Sequence, residues 1–170
     1  MMKIGILGGS FNPAHQGHIY ISELAIKKLG LNQVWWVPTA QNPLKEKTAT
    51  PYKERLERCK QIIKNHPKIR VKDFEKDSFF TYNLVKKLKS QYPHINFYFV
   101  AGSDILTQFH KWKNYKILPK IIKFAIFSRD SEYSAEPCSS KLSRPIPKEF
   151  LVFNTKKYDL SSSAIRAKFN

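Results

Sequence analysis

The chain has 170 residues, the size of one domain, and can bury roughly 70% of its unfolded surface, so neither a disulfide framework nor a structural metal is needed. A hydrophobic content of 42% and the lack of any apolar stretch near the ~20 residues of a membrane helix argue against a membrane-spanning helix, and a Met1-Met2-Lys3 start that runs straight into a strand-like segment, without a signal-peptide apolar region, reads as a cytoplasmic protein. The net charge of +17 opens the door to nucleic acid, but the lysines are dispersed and the arginines are only Arg55, Arg58, Arg70, Arg129, Arg144 and Arg166, so the excess reads as solvated faces with a general attraction for anionic metabolites.

Strand-like and helix-like segments alternate. Lys3 to Leu7 is the first strand, and His15 to Leu29 the first helix, closed by Gly30 as a left-handed cap. Gln33 to Val37 is the second strand, Pro38 to Thr50 a loop, and Pro51 opens a helix to about Asn65 with Leu56, Cys59, Ile62 and Ile63 inward. Ile69 to Val71 is a short strand, and Thr81 to Gln91 a helix with Leu84, Val85 and Leu88 inward. Ile95 to Val100 is almost wholly apolar, as a central strand covered on both faces should be. Tyr115 to Ile122 reads as helix, Phe124 to Phe127 as strand, about 129–148 as a surface loop, Phe150 to Phe153 as the last strand, and Ser161 to Phe169 as a short C-terminal helix. This alternation implies a single α/β domain, residues 1–170, with a Rossmann-like, doubly wound parallel sheet flanked by helices. Cys59 and Cys138 form no C-x-x-C and read as reduced thiols.

Gly8-Gly9-Ser10-Phe11-Asn12-Pro13-Ala14-His15-Gln16-Gly17-His18 joins the first strand to the first helix. Two glycines let backbone N–H groups approach a ligand closely, and the helix start adds unpaired donors and a positive dipole end. His15 and His18, at i and i+3, share a face. Together these make a polyphosphate site with two imidazoles in reach. The glycine spacing is neither that of the G-x-G-x-x-G dinucleotide turn nor that of a Walker loop. Taken alone, the histidines also fit an ordinary surface pair, or a metal pair that lacks a third ligand in this segment.

Further segments carry chemistry. In Leu160-Ser161-Ser162-Ser163-Ala164-Ile165-Arg166, hydroxyls at a helix start and a guanidinium one turn on converge on an anion, although a simple capped helix would look the same. Asp104, in Gly102-Ser103-Asp104 after the most apolar strand, suits ribose hydroxyls or a helix cap. Trp112 suits stacking on a flat heteroaromatic ring or core packing. Thr81-Tyr82 opens a helix, and Lys45 ends a proline-bracketed loop.

The Gly8–His18 and Leu160–Arg166 segments resemble the two phosphate motifs of the nucleotidyltransferase superfamily, which transfers adenylyl or cytidylyl groups from nucleoside triphosphates. With the Pro38–Lys45 loop, Thr81-Tyr82 and the Gly102-to-Trp112 stretch in order, the whole chain is similar to the bacterial nicotinate-nucleotide adenylyltransferases. The resemblance implies direct transfer of AMP from ATP to nicotinate mononucleotide, with Mg²⁺ bridging ATP phosphates and no dedicated protein metal ligand. It implies that His15, His18 and Arg166 are catalytic, and that Gly8, Gly9, Ser10, Phe11, Gly17, Gly102, Asp104, Ser161, Ser162 and Ser163 bind ATP. Lys45, Thr81, Tyr82 and Trp112 would bind the acceptor, with Trp112 stacked on the pyridine ring and Thr81 and Tyr82 near its carboxylate. Sister acceptors, nicotinamide mononucleotide or phosphopantetheine, stay open, as does a non-catalytic basic nucleic-acid-binding module and the oligomeric state, a homo-oligomer included. Three departures stand out: Asn12 in place of the commoner aspartate, a loop after the second strand that is not of the Asn-x-x-Pro-His-Lys type, and an end at Asn170 where the family carries a longer helical tail.

Overall fold

The computed structural model describes residues 1–41, 50–74, 77, 79–128 and 147–155. Among these, strands β1 (Met2–Gly9), β2 (Gln33–Pro38), β3 (Ile69–Val71), β4 (Ile95–Gly102), β5 (Lys123–Ser128) and β6 (Phe150–Asn154) form one sheet. Every pairing is parallel, in the order β3-β2-β1-β4-β5-β6. The chain thus winds outward from β1 to β3, crosses back to β4 beside β1, and winds outward again. Its reversal point lies between β1 and β4, and the strands' C-terminal ends there open a crevice. This is the doubly wound architecture expected from the alternation of segments.

Successive residues of each strand serve opposite faces. Ile4 and Ile6 of β1, Trp35 and Val37 of β2, Phe97 and Phe99 of β4, and Phe124 and Ile126 of β5 face one core, covered by Leu84, Val85 and Leu88 of helix α3 (Thr81–Gln91) and by Leu118 of helix α4 (Leu118–Ile121). Leu7, Val34, Trp36, Val100, Ala125 and Phe127 face the other, covered by Ala25 of helix α1 (Gln16–Leu29) and Cys59 of helix α2 (Tyr52–Ile62). Gly5 is required by this close packing. A Cβ there would sit 2.8 Å from Leu31 Cδ1, 3.1 Å from Val100 Cγ2 and 3.2 Å from Val34 Cγ2.

Helix boundaries differ from the sequence reading in places. Gly30 caps α1 at φ 61°, as expected. The second helix stops at Ile62, because Ile63 already has non-helical backbone (φ −102°, ψ 7°). The expected helix from Tyr115 reduces to the four residues of α4, because Pro119 suits only a first turn and would sit inside the longer helix. Two 3₁₀ segments, Ser103–Thr107 and Phe109–Lys111, follow β4 where no helix was assigned. The expected Ser161–Phe169 helix and most of the 129–148 loop lie outside the described residues. Among the described residues no helix is long and apolar enough to cross a membrane.

Cys59 is fully buried. Desolvation raises its pKa from 9.0 to about 12, against the opposing charge of Arg55. An unfolded thiol ionises first, so this group's contribution to stability is complete below about pH 9 and declines as pH rises toward 12. Native protein at pH 8 is expected to leave Cys59 unmodified by iodoacetamide, and urea-unfolded protein to be fully alkylated there, read by peptide mass spectrometry.

Candidate active site

β1 ends in Gly8 and Gly9, and the chain then turns into α1. Gly8 is pressed against the sheet's aromatic neighbour: a Cβ there would lie 3.2 Å from the Phe99 ring. Phe11 carries a left-handed φ of 47°, and the Asn12–Pro13 bond is cis. His15 is not in the first helical turn but is the N-cap, with extended backbone (φ −151°, ψ 170°). Its Nδ1 accepts from the Gly17 N–H at 3.1 Å, while the His15 N–H donates to His18 Nδ1 at 3.2 Å. The two rings lie 3.9 Å apart between centroids. Because both Nδ1 atoms accept backbone protons, the proton of each neutral imidazole resides on Nε2. The histidines thus double as helix caps and as oriented N–H donors. Gly17, expected at the phosphates, gives its own N–H to the cap.

Phe11, expected at the phosphates, and two residues that sequence reasoning missed, Ser22 and Trp36, hold this arrangement. Phe11 packs between the His18 ring, at 4.7 Å, and the Trp36 indole, stacked at 5.0 Å. Trp36 Nε1–H donates to Ser22 Oγ at 2.8 Å, and Ser22 Oγ–H donates to the His18 carbonyl at 2.7 Å. Ser22 lies four residues after His18 on α1, the spacing at which a serine reaches back to a helical carbonyl. Trp36 was legible only as a strand residue.

Arg55 of α2 was also missed as a site element, and it is 1% exposed. Its guanidinium donates to the carbonyls of Ser10 (2.5 Å), Thr39 (2.9 Å), Ala40 (2.8 Å) and Thr50 (3.2 Å). Burial lowers its pKa, opposed by Tyr52 and Cys59, which raise it. An arginine so bonded stays charged. No local pattern separates it from Arg58, one turn on, which pairs with Glu54 at the surface.

A cleft of about 170 Å³ opens at the C-terminal ends of β1 and β4. Of the expected residues, Gly8, Gly9, Ser10, Thr81, Asp104 and Trp112 line it. Phe79, Phe80, Lys111 and Lys113 line it as well. Phe79 is 46% exposed and presents an apolar surface to the cleft. Lys113 Nζ lies 4.9 Å from the Phe80 ring centre. Trp112 forms a wall of the cleft and sits edge-on to Phe99 at 5.7 Å. Tyr82, on α3 next to Thr81, packs partly buried against the core, with Lys86 over its ring at 5.9 Å. Gly102 makes room for its neighbour: a Cβ would lie 2.7 Å from Asp104 Oδ1. Among the described residues no group of three or more His, Cys, Asp or Glu could hold a metal. Lys45, Ser161, Ser162, Ser163 and Arg166 lie outside the described residues.

The chain that builds this N–H-rich turn and the aromatic and cationic cleft beside it is similar to known proteins. The family model described as cytidylyltransferase-like matches residues 6–168. The chain belongs to the cytidylyltransferase-like family. Within it, the chain is similar to a probable nicotinate-nucleotide adenylyltransferase of Cereibacter sphaeroides, 30% identical over 184 residues that cover 98% of this chain and 97% of the relative. A protein of the same name from Rhizobium johnstonii is 37% identical over 146 residues, 84% of this chain and 72% of the relative. Among solved structures, Plasmodium falciparum nicotinic acid mononucleotide adenylyltransferase complexed with NaAD matches with a TM-score of 0.79 at 26% identity, covering 98% of this chain and 83% of that one. The same protein complexed with APC matches at 0.77.

Proposed function

We infer that this protein is a nicotinate-nucleotide adenylyltransferase, joining ATP and nicotinate mononucleotide to give nicotinate adenine dinucleotide and pyrophosphate. One observation carries the chemical part of this reading. His15 and His18 are held by backbone caps as paired Nε2–H donors at the start of a helix, at the end of the β1 phosphate turn. Relatives of the same name over most of the chain support the choice of acceptor.

In the reaction a phosphate oxygen of the mononucleotide attacks the α-phosphorus of ATP in line. The new O–Pα bond forms as the bond from Pα to the oxygen bridging Pβ breaks, and that oxygen leaves with its electron pair as pyrophosphate. No side chain is needed as a covalent nucleophile. Catalysis is positioning plus stabilisation of charge growing on phosphate oxygens. His15 and His18 donate to those oxygens, with the N–H groups at Gly9 and Phe11 and the Ser10 hydroxyl beside them. Asp104, at the rim of the cleft, accepts from the adenosine ribose. Trp112 stacks on the pyridine ring with Thr81 alongside, and Lys111 and Lys113 draw an anionic acceptor inward. By the family resemblance, Ser161, Ser162, Ser163 and Arg166 grip the phosphates that leave, with Lys45 and Tyr82 on the acceptor side. The imidazole and backbone N–H donors at the β1 turn suit phosphate oxygens, and Mg²⁺ bound with ATP would supply further neutralisation of phosphate charge there.

The deciding experiment measures pyrophosphate release from Mg·ATP with nicotinate mononucleotide, its amide or phosphopantetheine. Release mainly with the acid is expected. Release mainly with another acceptor would retain the phosphate chemistry and overturn the acceptor assignment, and salt-sensitive polynucleotide binding without turnover would mark a binding module instead. His18→Ala is expected to lower kcat by at least ~10²-fold in protein that still folds, as for loss of a donor to developing charge, and to lower the melting temperature as well because the side chain caps α1. Near-normal turnover would remove His18 from the mechanism. Gly102→Ala is expected to push the Asp104 carboxylate aside and raise the KM for ATP about tenfold, the scale of one lost charge-assisted hydrogen bond, with kcat largely retained.

A further inference from the structure

The phosphate turn depends on a residue that comes 45 positions after Ser10 in the chain. We propose that Arg55 is a positioning residue for the phosphate site: its buried guanidinium fixes the Ser10–Phe11 peptide so that the Phe11 N–H faces the nucleotide phosphates. The proposal rests on the adenylyltransferase reading for what the phosphates are, and on the following geometry for the rest.

Arg55 Nη1 donates to the Ser10 carbonyl at 2.5 Å and to the Thr39 carbonyl at 2.9 Å. Thr39 in turn donates its own N–H to the Gly9 carbonyl at 2.8 Å. The end of β1 is therefore tied to the segment after β2 twice, once through the backbone and once through the guanidinium. Nη2 holds the Ala40 carbonyl and Nε the Thr50 carbonyl, so the same group gathers both flanks of the 42–49 segment.

A trans peptide points its C=O and N–H in opposite directions. Among the described residues the cis bond is Asn12–Pro13, so the Ser10–Phe11 unit is trans. Anchoring the Ser10 oxygen on Arg55 therefore turns the Phe11 N–H to the side away from the guanidinium. Phe11 also holds a left-handed φ of 47°, a conformation that a bulky residue adopts only when its surroundings impose it. Its ring is fixed between His18 and Trp36, and Arg55 fixes the peptide on its other side. The requirement is for a planar fork: one guanidinium reaches four carbonyls from three chain segments, and a lysine ammonium, with three donors on one nitrogen, does not span them.

The test compares wild type, Arg55→Ala and Arg55→Lys at a temperature where circular dichroism and thermal melting show each to be folded. Mg·ATP affinity is read by isothermal titration, and kcat by AMP transfer. Both variants are expected to bind Mg·ATP about tenfold more weakly and to lose at least about tenfold in kcat, the scale of one misdirected charge-assisted donor. Methylguanidinium below denaturing concentration is expected to restore part of the affinity to Arg55→Ala, while urea at the same concentration restores none. Folded Arg55→Ala with affinity and kcat within about threefold of wild type would overturn the proposal. So would full recovery in Arg55→Lys, which would show that positive charge alone suffices. If neither variant folds, the wild-type protein decides: the Phe11 amide proton should shift on addition of Mg·ATP, and an unmoved resonance overturns the proposal. If wild type binds Mg·ATP but transfers AMP to none of the acceptors, the adenylyltransferase reading falls, and the binding comparison still judges Arg55.

Discussion

The pairing of β1 with β2 on one edge and β4 on the other is the constraint on which the remaining structure depends. A parallel strand with neighbours on both sides and cores on both faces has no room for bulk, hence Gly5 wedged among Leu31, Val34 and Val100. It also forces the chain to leave β1 in one direction and return to β4 from the other. The loops after β1 and β4 then diverge, and a crevice opens between them without any residue being dedicated to making it. The glycines at the end of β1 allow a ligand to enter that crevice close to backbone N–H groups.

The chemistry at the crevice depends on how the donors are held. An imidazole on a flexible loop would sample both tautomers and many orientations. Here each Nδ1 is engaged by a backbone N–H at the start of α1, the His18 ring is backed by Phe11 and Trp36, and Ser22 holds the His18 carbonyl. The donors are set before substrate arrives, which is where electrostatic stabilisation of a phosphoryl-transfer transition state has its value. Arg55 extends the same logic to the backbone. A buried charge is costly without partners, and four carbonyls supply them while being locked in return.

The cleft divides the labour differently. Its aromatic walls come from separate segments: Phe79 and Phe80 before α3, and Trp112 after β4. Trp112 serves the core and the cleft together, being edge-on to Phe99 while exposing part of its surface. Lys111 and Lys113 line the same cleft and give it positive charge, a local concentration of a net charge that elsewhere is spread along the chain.

By itself the sequence determined the alternation of strands and helices, the glycine-rich turn into a histidine-bearing helix, and the resemblance that names the chemistry, because each is encoded in neighbouring residues through periodicity, turn chemistry and spacing. It also placed Gly8, Gly9, Ser10, Thr81, Asp104 and Trp112 in positions that the fold brings to one cleft. Tertiary packing alone made His15 a cap and not a helical residue, set Phe79 and Phe80 in the wall of the cleft, and turned Arg55 and not Arg58 to the Ser10 carbonyl. Those outcomes depend on partners tens of residues away. A buried arginine and an exposed one have the same local pattern, and a phenylalanine pair before a helix is core or cleft according to what packs opposite. Such choices follow from long-range packing, which local sequence spacing does not record.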